Sequence, residues 1–456
     1  MPFIDTAKIG DQLHRLAKLT LDTGEATTIE EAMQLLERYS LHVDVDPRTM
    51  ESAAGQAALA TTVNAARRAF LGGVTVSGVP DVALRVPLYG QIQLKDLVEQ
   101  LGGRCVDAVR PAASHMAIGR RAMGLRATMD GWVAGCYAEG ADFADSPEEA
   151  FVLTGIAAAG LTVAECFQQV RKSNPAAGRR RIALSLWRPD LPADDPRARG
   201  ESPSVLPSSA WLIGLGNLGQ AYLWALGWLP YADPSDFSLT LQDFDKLAES
   251  NDSTSLLTDL SMVGRCKSRA MAEWAEARGF ATTIVERRFD RELKVNAEDP
   301  PVALCGVDNA LARSALEDAG FGRVFEAGLG NGVSDYLALR LHSFPGPKAA
   351  RQLWSGEGAA EPELLDRPAY RDLEERGADR CGLVQLAGRT VGAPFVGALA
   401  GALVVAELVK LANGGPNTAL LDLHLRSPGQ LAAFAQTSNF AFNPGGLLIR
   451  RQGIRS

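Results

Sequence analysis

Five short groups of residues in the middle of the chain are of types that could handle a nucleotide. The first is Gly214-x-Gly216-x-x-Gly219, in the run WLIGLGNLG at 211–219. Glycines suit such a turn because backbone N–H groups must close on phosphate oxygens, and a Cβ would hold the ligand away. The helix expected behind the turn adds partial positive charge at its N-terminus. Next come Asp243-Phe244-Asp245, at the tip of an apolar run, where a carboxylate is suited to ribose hydroxyls. Ser250-Asn251 follows, and then Val263-Gly264-Arg265-Cys266-Lys267, whose lysine could reach phosphate oxygens and neutralise charge as pyrophosphate leaves. The last is Asp308-Asn309 with Arg313 one turn on. Beside phosphates, Asp308 is a natural ligand for Mg²⁺, an ion that takes oxygen donors. Each residue also has a plain structural use: Asp245 could cap a turn, Lys267 could be a solvated helix residue, and Asp308 could cap the helix that follows.

The elements that must position these groups alternate. In the C-terminal half the pattern predicts strands at 211–215, 237–243, 281–286, 301–305 and 323–327, with helices at 219–228, 265–279 and 310–318. This is the signature of a mostly parallel, doubly wound α/β sheet, which binds ligands beyond the carboxyl ends of its strands. The N-terminal half alternates too, with strands at 41–46, 73–78 and 115–119, helices at 50–70 and 94–102, and a strand-like run at 126–139. Five prolines in 187–209 mark a linker, dividing the chain into residues 1–186 and 210–456.

The two halves look duplicated. Gly155 to Glu165 and Gly397 to Glu407 agree at six of eleven positions, and in each half a turn and a strand-like run follow. Where the second half has its glycine turn, the first has Asp46-Pro47-Arg48-Thr49, so its nucleotide site is expected to be lost. Residues 340–392, rich in Gly, Pro and charge, read as a long irregular insertion with no counterpart in the first half.

The ordered set GLGNLG, DFD, SN, GRCK and DNALAR over 214–313 resembles the ThiF/MoeB and ubiquitin-activating enzyme superfamily. The resemblance implies two related adenylation domains in a pseudo-dimer, an inactive one (1–186) and an active one (210–456). It implies ATP and Mg²⁺ as cofactors. Gly214, Gly216, Gly219, Asp243, Asp245, Asn251, Lys267, Asp308 and Arg313 would then bind nucleotide, with Asp308 on the metal. It implies a ubiquitin-like protein as the partner whose C-terminal carboxylate is adenylated, and a conjugating-like enzyme as acceptor. In that superfamily a catalytic cysteine sits on a crossover segment, which points to Cys381 within about 340–392; a thiolate there would gain from Arg380 beside it. The chain departs from the pattern at Thr254, where the superfamily usually has an arginine. Another arginine would have to substitute, with Arg15 and Arg38 as candidates from the N-terminal half.

Six scattered cysteines with no CxxC pair argue against a disulfide framework and a structural zinc. Within the resemblance, the missing CxxC pair departs from the zinc-binding sulfur-carrier activators and leans toward the ubiquitin-activating side, including compact bacterial enzymes of antiviral conjugation operons. A nicotinamide-dependent oxidoreductase could use GLGNLG with Asp243 but leaves Lys267 and Asp308 without a task; a scaffold with a decayed site is favoured only by Thr254. Net charge −8 argues against nucleic acid as partner. The run from Val391 to Leu411 contains Pro394, Glu407 and several glycines, so it reads as a core helix rather than a membrane span, and the chain is expected in the cytoplasm.

Overall fold

The computed structural model describes residues 9–90, 92–120, 124–138, 144–330, 332–355, 365–436 and 442–449. The first sheet contains β1 (Leu41–Val45), β2 (Val74–Ser77), β3 (Gly103–Val106), β4 (Ser114–Ile118), β5 (Leu125–Asp130), β6 (Val133–Tyr137) and β7 (Ile182–Ser185). Its order is β3-β2-β1-β4-β5-β6-β7. Strands β1 to β5 are parallel, and β6 turns antiparallel between β5 and β7.

The second sheet repeats this plan with one more strand. After the short β8 (Val205–Leu206) come β9 (Ser209–Ile213), β10 (Ser238–Gln242), β11 (Ala281–Val285), β12 (Val302–Cys305), β13 (Arg323–Leu329), β14 (Ala338–Phe344), β15 (Asn417–His424) and β16 (Ala432–Gln436). The order is β11-β10-β9-β12-β13-β14-β15-β16, again parallel until β14. A last strand, β17 (Leu447–Leu448), pairs with β8.

Residues 340–392 are not irregular throughout and not wholly without counterpart. Their first residues belong to β14, which pairs with β13 as β6 pairs with β5. Leu339 and Leu341 point into the core while Arg340 is exposed, so the alternation of a strand persists up to the break at Pro345. The insertion proper follows β14 and holds helices Ala350–Leu353, Pro368–Glu375 and Arg380–Gly388. The sequence reading also lacked the helices Ile9–Gln12, Arg15–Thr23 and Ile29–Glu37 that precede β1.

Helices Ala53–Ala66, Val152–Val170, Asn217–Gly227 and Pro394–Ala412 pack together at the centre, burying apolar surface from both halves. Small residues let them approach: a Cβ on Gly155 would lie 2.0 Å from the Ala54 carbonyl oxygen, and one on Gly160 would lie 2.8 Å from that of Phe395. Helix Pro394–Ala412 is apolar and long enough to cross a membrane, but here it is almost wholly buried between the sheets.

The glutamates ending the two matching stretches, Glu165 and Glu407, perform the same task. Glu165 accepts from the Gly178 backbone N–H at 3.0 Å, and Glu407 from that of Thr418 at 2.9 Å, each tying its helix to the segment that returns to the sheet. Both are buried and paired, Glu165 with Arg180 and Glu407 with Lys410. The proline-rich segment 187–209 is pinned rather than loose: Trp187 packs 5.2 Å from Trp132, and Asn413 holds Val205 through both its backbone groups.

Candidate active site

A cavity of about 650 Å³ opens at the carboxyl ends of β9, β10 and β12, within the size range of small-molecule sites. Its floor is the glycine turn between β9 and the helix Asn217–Gly227, where each glycine is required for a different reason. Gly214 has φ +83°, and a Cβ there would meet the Val307 side chain at 2.7 Å. On Gly219 a Cβ would lie 1.9 Å from the Gly214 carbonyl oxygen, so this glycine lets the helix close on the turn. A Cβ on Gly216 would meet nothing within 4 Å, and Gly216 lines the cavity; only here does the missing side chain leave room for a ligand.

Asp243, at the end of β10, is buried and accepts from the Leu215 N–H at 2.7 Å and the Asp245 N–H at 2.8 Å. The carboxylate thus locks the glycine turn to the strand beside it, while still facing the cavity. Lys267 is the first residue of helix Lys267–Glu276; its Nζ donates to Asp245 at 3.2 Å. Asn251 caps its own turn, its Oδ1 accepting from the Ala248 N–H at 2.9 Å, and lines the cavity.

At the end of β12 the helix cap falls to Asn309, not Asp308. Asn309 Oδ1 accepts from the N–H groups of Leu311 and Ala312 at 2.9 and 3.1 Å, which leaves Asp308 exposed at the cavity without the capping task. An oxygen donor so placed, lining the same cavity as Lys267, fits Mg²⁺ held jointly with ligand phosphates. Among the described residues no three His, Cys, Asp or Glu side chains form a metal site by themselves. Arg313 lines the cavity, but its guanidinium is held by the Val307 carbonyl at 2.8 Å and by Glu326 at 3.1 Å, and it braces the site from behind.

The N-terminal helices bring Arg15 into the same cavity. Its backbone N–H donates to Ser253 and its Nη2 to Ser250, both at 3.1 Å, while Nη1 is buried with no partner. Burial, then the nearby charge of Arg389, pulls this guanidinium down to about 10. Arg38 instead ends helix Ile29–Glu37, exposed and away from the cavity.

The family described as the BilD C-terminal domain matches residues 206–415, and the one described as the BilD N-terminal domain matches residues 40–186. The bacterial E1-like protein BilD of Collimonas sp. (strain OK412) is 43% identical over 410 residues, covering 88% of this chain and 89% of that protein. This chain belongs to the BilD family of bacterial E1-like proteins.

Likeness to solved structures is slight. E. coli MccB is 10% identical with a TM-score of 0.35 over 73% of this chain and 98% of that one. MccB with AMPCPP and MccA is 12% identical, with a TM-score of 0.30, and the match spans 50% of this chain and 63% of that one. The E. coli tRNA N6-threonylcarbamoyladenosine dehydratase TcdA is 16% identical, with a TM-score of 0.29, over 45% of this chain and 85% of that one.

Two parts of the cavity in this BilD-family chain escaped the sequence reading. One is the loop Arg287–Arg291 after β11, from which Arg288 stacks on the half-exposed Phe244 at 4.5 Å. Its position at the carboxyl end of a parallel strand was the available signal. The other is Gly388–Gly392, where the insertion rejoins the core. Cys381 belongs to the helix just before it, Arg380–Gly388; its side chain lies outside the described residues. Cys305 is buried within β12, and burial pushes its thiol up to about 12.

Proposed function

We propose that this protein activates the C-terminal carboxylate of a ubiquitin-like protein with ATP. The carboxylate attacks the α-phosphate, giving an acyl-adenylate and pyrophosphate; the Cys381 thiolate then takes the acyl group as a thioester, releasing AMP, for transfer to a conjugating enzyme. The observation that carries this reading is the convergence of Gly216, Lys267, Asp308 and Arg15 on one cavity, with a buried guanidinium N–H lacking a partner. A nicotinamide-dependent oxidoreductase would leave Lys267 and Asp308 without an evident task.

In this scheme the glycine turn and the N-terminus of helix Asn217–Gly227 cradle phosphate. Lys267 and Arg15 offset the charge that grows on the leaving pyrophosphate. Asp308 would hold Mg²⁺, which supplies further neutralisation of the phosphates. Asp243 orders the turn and offers its carboxylate edge to the ribose. The BilD relationship favours an E1-type reaction over sulfur-carrier activation, and an antiviral conjugation system is the setting we favour.

Residues 1–186 are, on this reading, an inactive copy. Behind β1 stands Asp46-Pro47-Arg48-Thr49 in place of a glycine turn, and Gly119, which follows β4 as Gly306 follows β12, packs against it: a Cβ there would lie 2.2 Å from Thr49 Oγ1 and 2.8 Å from Asp46 Cβ. What this half contributes is Arg15, delivered across the interface, so the active site needs both halves.

The test is pyrophosphate exchange with purified ubiquitin-like partners, run on wild type and Cys381→Ala. The variant should keep exchange near the wild-type rate, because adenylation needs no thiol, and lose the reductant-sensitive adduct with the partner. Persistence of that adduct would assign the thioester to another cysteine. Absence of partner-dependent exchange in the wild type would refute the adenylation reading.

A further inference from the structure

The departure at Thr254 has a structural counterpart. Thr254 is buried, and the space in front of it is taken by the loop that ends the insertion: a Cβ on Gly392 would lie 2.7 Å from Thr254 Cγ2 and 3.4 Å from Asn217 Nδ2. A longer side chain at position 254 that followed the direction of Cγ2 would collide with that loop. Small residues at 254 and 392 together let residues 388–392 seat in the cavity wall beside the glycine turn. The cation this loop carries is Arg389, and it lines the cavity.

We propose that Arg389 is a second guanidinium ligand for the terminal phosphates of the nucleotide, standing in for the arginine absent at Thr254. The proposal rests on reading the cavity as an ATP site. Arg389 and Arg15 occupy one wall, near enough for the charge of Arg389 to act on Arg15. Arg15 is 9% exposed and its Nη1 has no partner. Two like charges, one of them with an unpaired buried donor, suit an anion carrying more than one negative charge, which fits a polyphosphate tail better than a monophosphate.

Arg389 is at present paired with Asp11 at 2.7 Å, and both side chains are about half exposed (49% and 53%). Such a pair is weak and exchangeable. ATP would draw Arg389 from Asp11 toward the phosphates. Because Arg389 directly follows the helix that carries Cys381, the nucleotide site would be complete only when the end of the insertion is seated.

The experiment is calorimetry of the full-length protein with Mg²⁺ and, separately, ATP, AMP and adenosine. In Arg389→Ala, ATP affinity should fall about 10- to 100-fold, the range expected for losing charge-assisted hydrogen bonds, with adenosine and AMP binding unchanged. Arg389→Lys should recover part of the loss. Asp11→Asn, which frees Arg389, should leave ATP affinity the same or higher. Wild-type affinity for ATP in Arg389→Ala would overturn the proposal, and so would an equal loss for adenosine, which would mark a merely structural role. If the wild type itself bound no ATP, the reading of the cavity would fail first, independently of Arg389.

Discussion

Gly216 and Gly219 stand three residues apart in one turn, and the structure assigns them opposite sensitivities. A methyl on Gly219 would sit 1.9 Å from the Gly214 carbonyl oxygen and 2.9 Å from its carbon, backbone against backbone. Overpacking of this kind costs up to about 3 kcal/mol, and the better helix propensity of alanine returns about 1. Gly219→Ala should therefore lose about 2 kcal/mol and melt a few degrees low. Gly216 has φ −79°, outside the left-handed region, and its methyl would meet nothing within 4 Å. Exchanging glycine for alanine at this helix cap costs under about 1 kcal/mol, so the apo protein should melt almost as wild type does. The methyl would instead enter the volume assigned to phosphate. Wild type should gain about 2.7 kcal/mol from ATP at 100 times its dissociation constant. Gly216→Ala should lose most of that gain at the same concentration, and Gly216→Val all of it. Thermal melts with and without Mg-ATP read both quantities. The reasoning is refuted if Gly216→Val is stabilised by ATP as much as wild type, or if Gly216→Ala melts lower than Gly219→Ala without nucleotide.

Asp308→Ala should cut pyrophosphate exchange by about 100-fold or more and leave the circular dichroism spectrum and melting curve unchanged, because Asn309 rather than Asp308 caps the helix. Glu407→Ala should cost about 3–5 kcal/mol in urea unfolding, because it strands the fully buried Lys410 and frees the Thr418 N–H; a loss under about 1 kcal/mol would contradict the burial. Asp145 is buried with Oδ2 unpartnered, and burial raises its carboxyl to about 6. Its folded value lies above the unfolded one, so the stability it contributes is present at low pH and lost as pH rises through about 6. Asp145→Asn should accordingly exceed wild type in stability at pH 8 by at most about 3 kcal/mol, with the gap closing toward pH 4 in urea titrations.

How far the sequence could be read follows from which interactions are local. A glycine turn, a carboxylate at a strand tip and a lysine opening a helix are each specified within a few residues. The parallel-sheet rule then places all of them at one edge, and β9, β10 and β12 do so. The duplicated helices were legible for the same reason, as a repeated run of small apolar residues ending in glutamate. β14 was obscured because Pro345 and the charged insertion dilute an alternation only a few residues long. The helices before β1 are short but amphipathic, so their period was there to be read; what the local sequence does not show is their task, which lies elsewhere in the fold. Arg15 and Arg38 are equivalent on paper; what separates them is that Arg15 follows His14, whose Nδ1 accepts from the Leu16 N–H at 3.2 Å, and meets Ser250 and Ser253, more than 200 residues away. No local rule encodes that encounter. It depends on helices Val152–Val170 and Pro394–Ala412 lying against each other, which carries the N-terminal segment over the second sheet's carboxyl edge. The cavity is therefore built from residue 15, residues 213–330 and residues 388–392, three parts of the chain that converge only in the folded state. Two motif residues, Asp243 and Arg313, spend hydrogen bonds on holding the walls, while Lys267 is joined at the cavity by cations from outside the motif, Arg15 and Arg389.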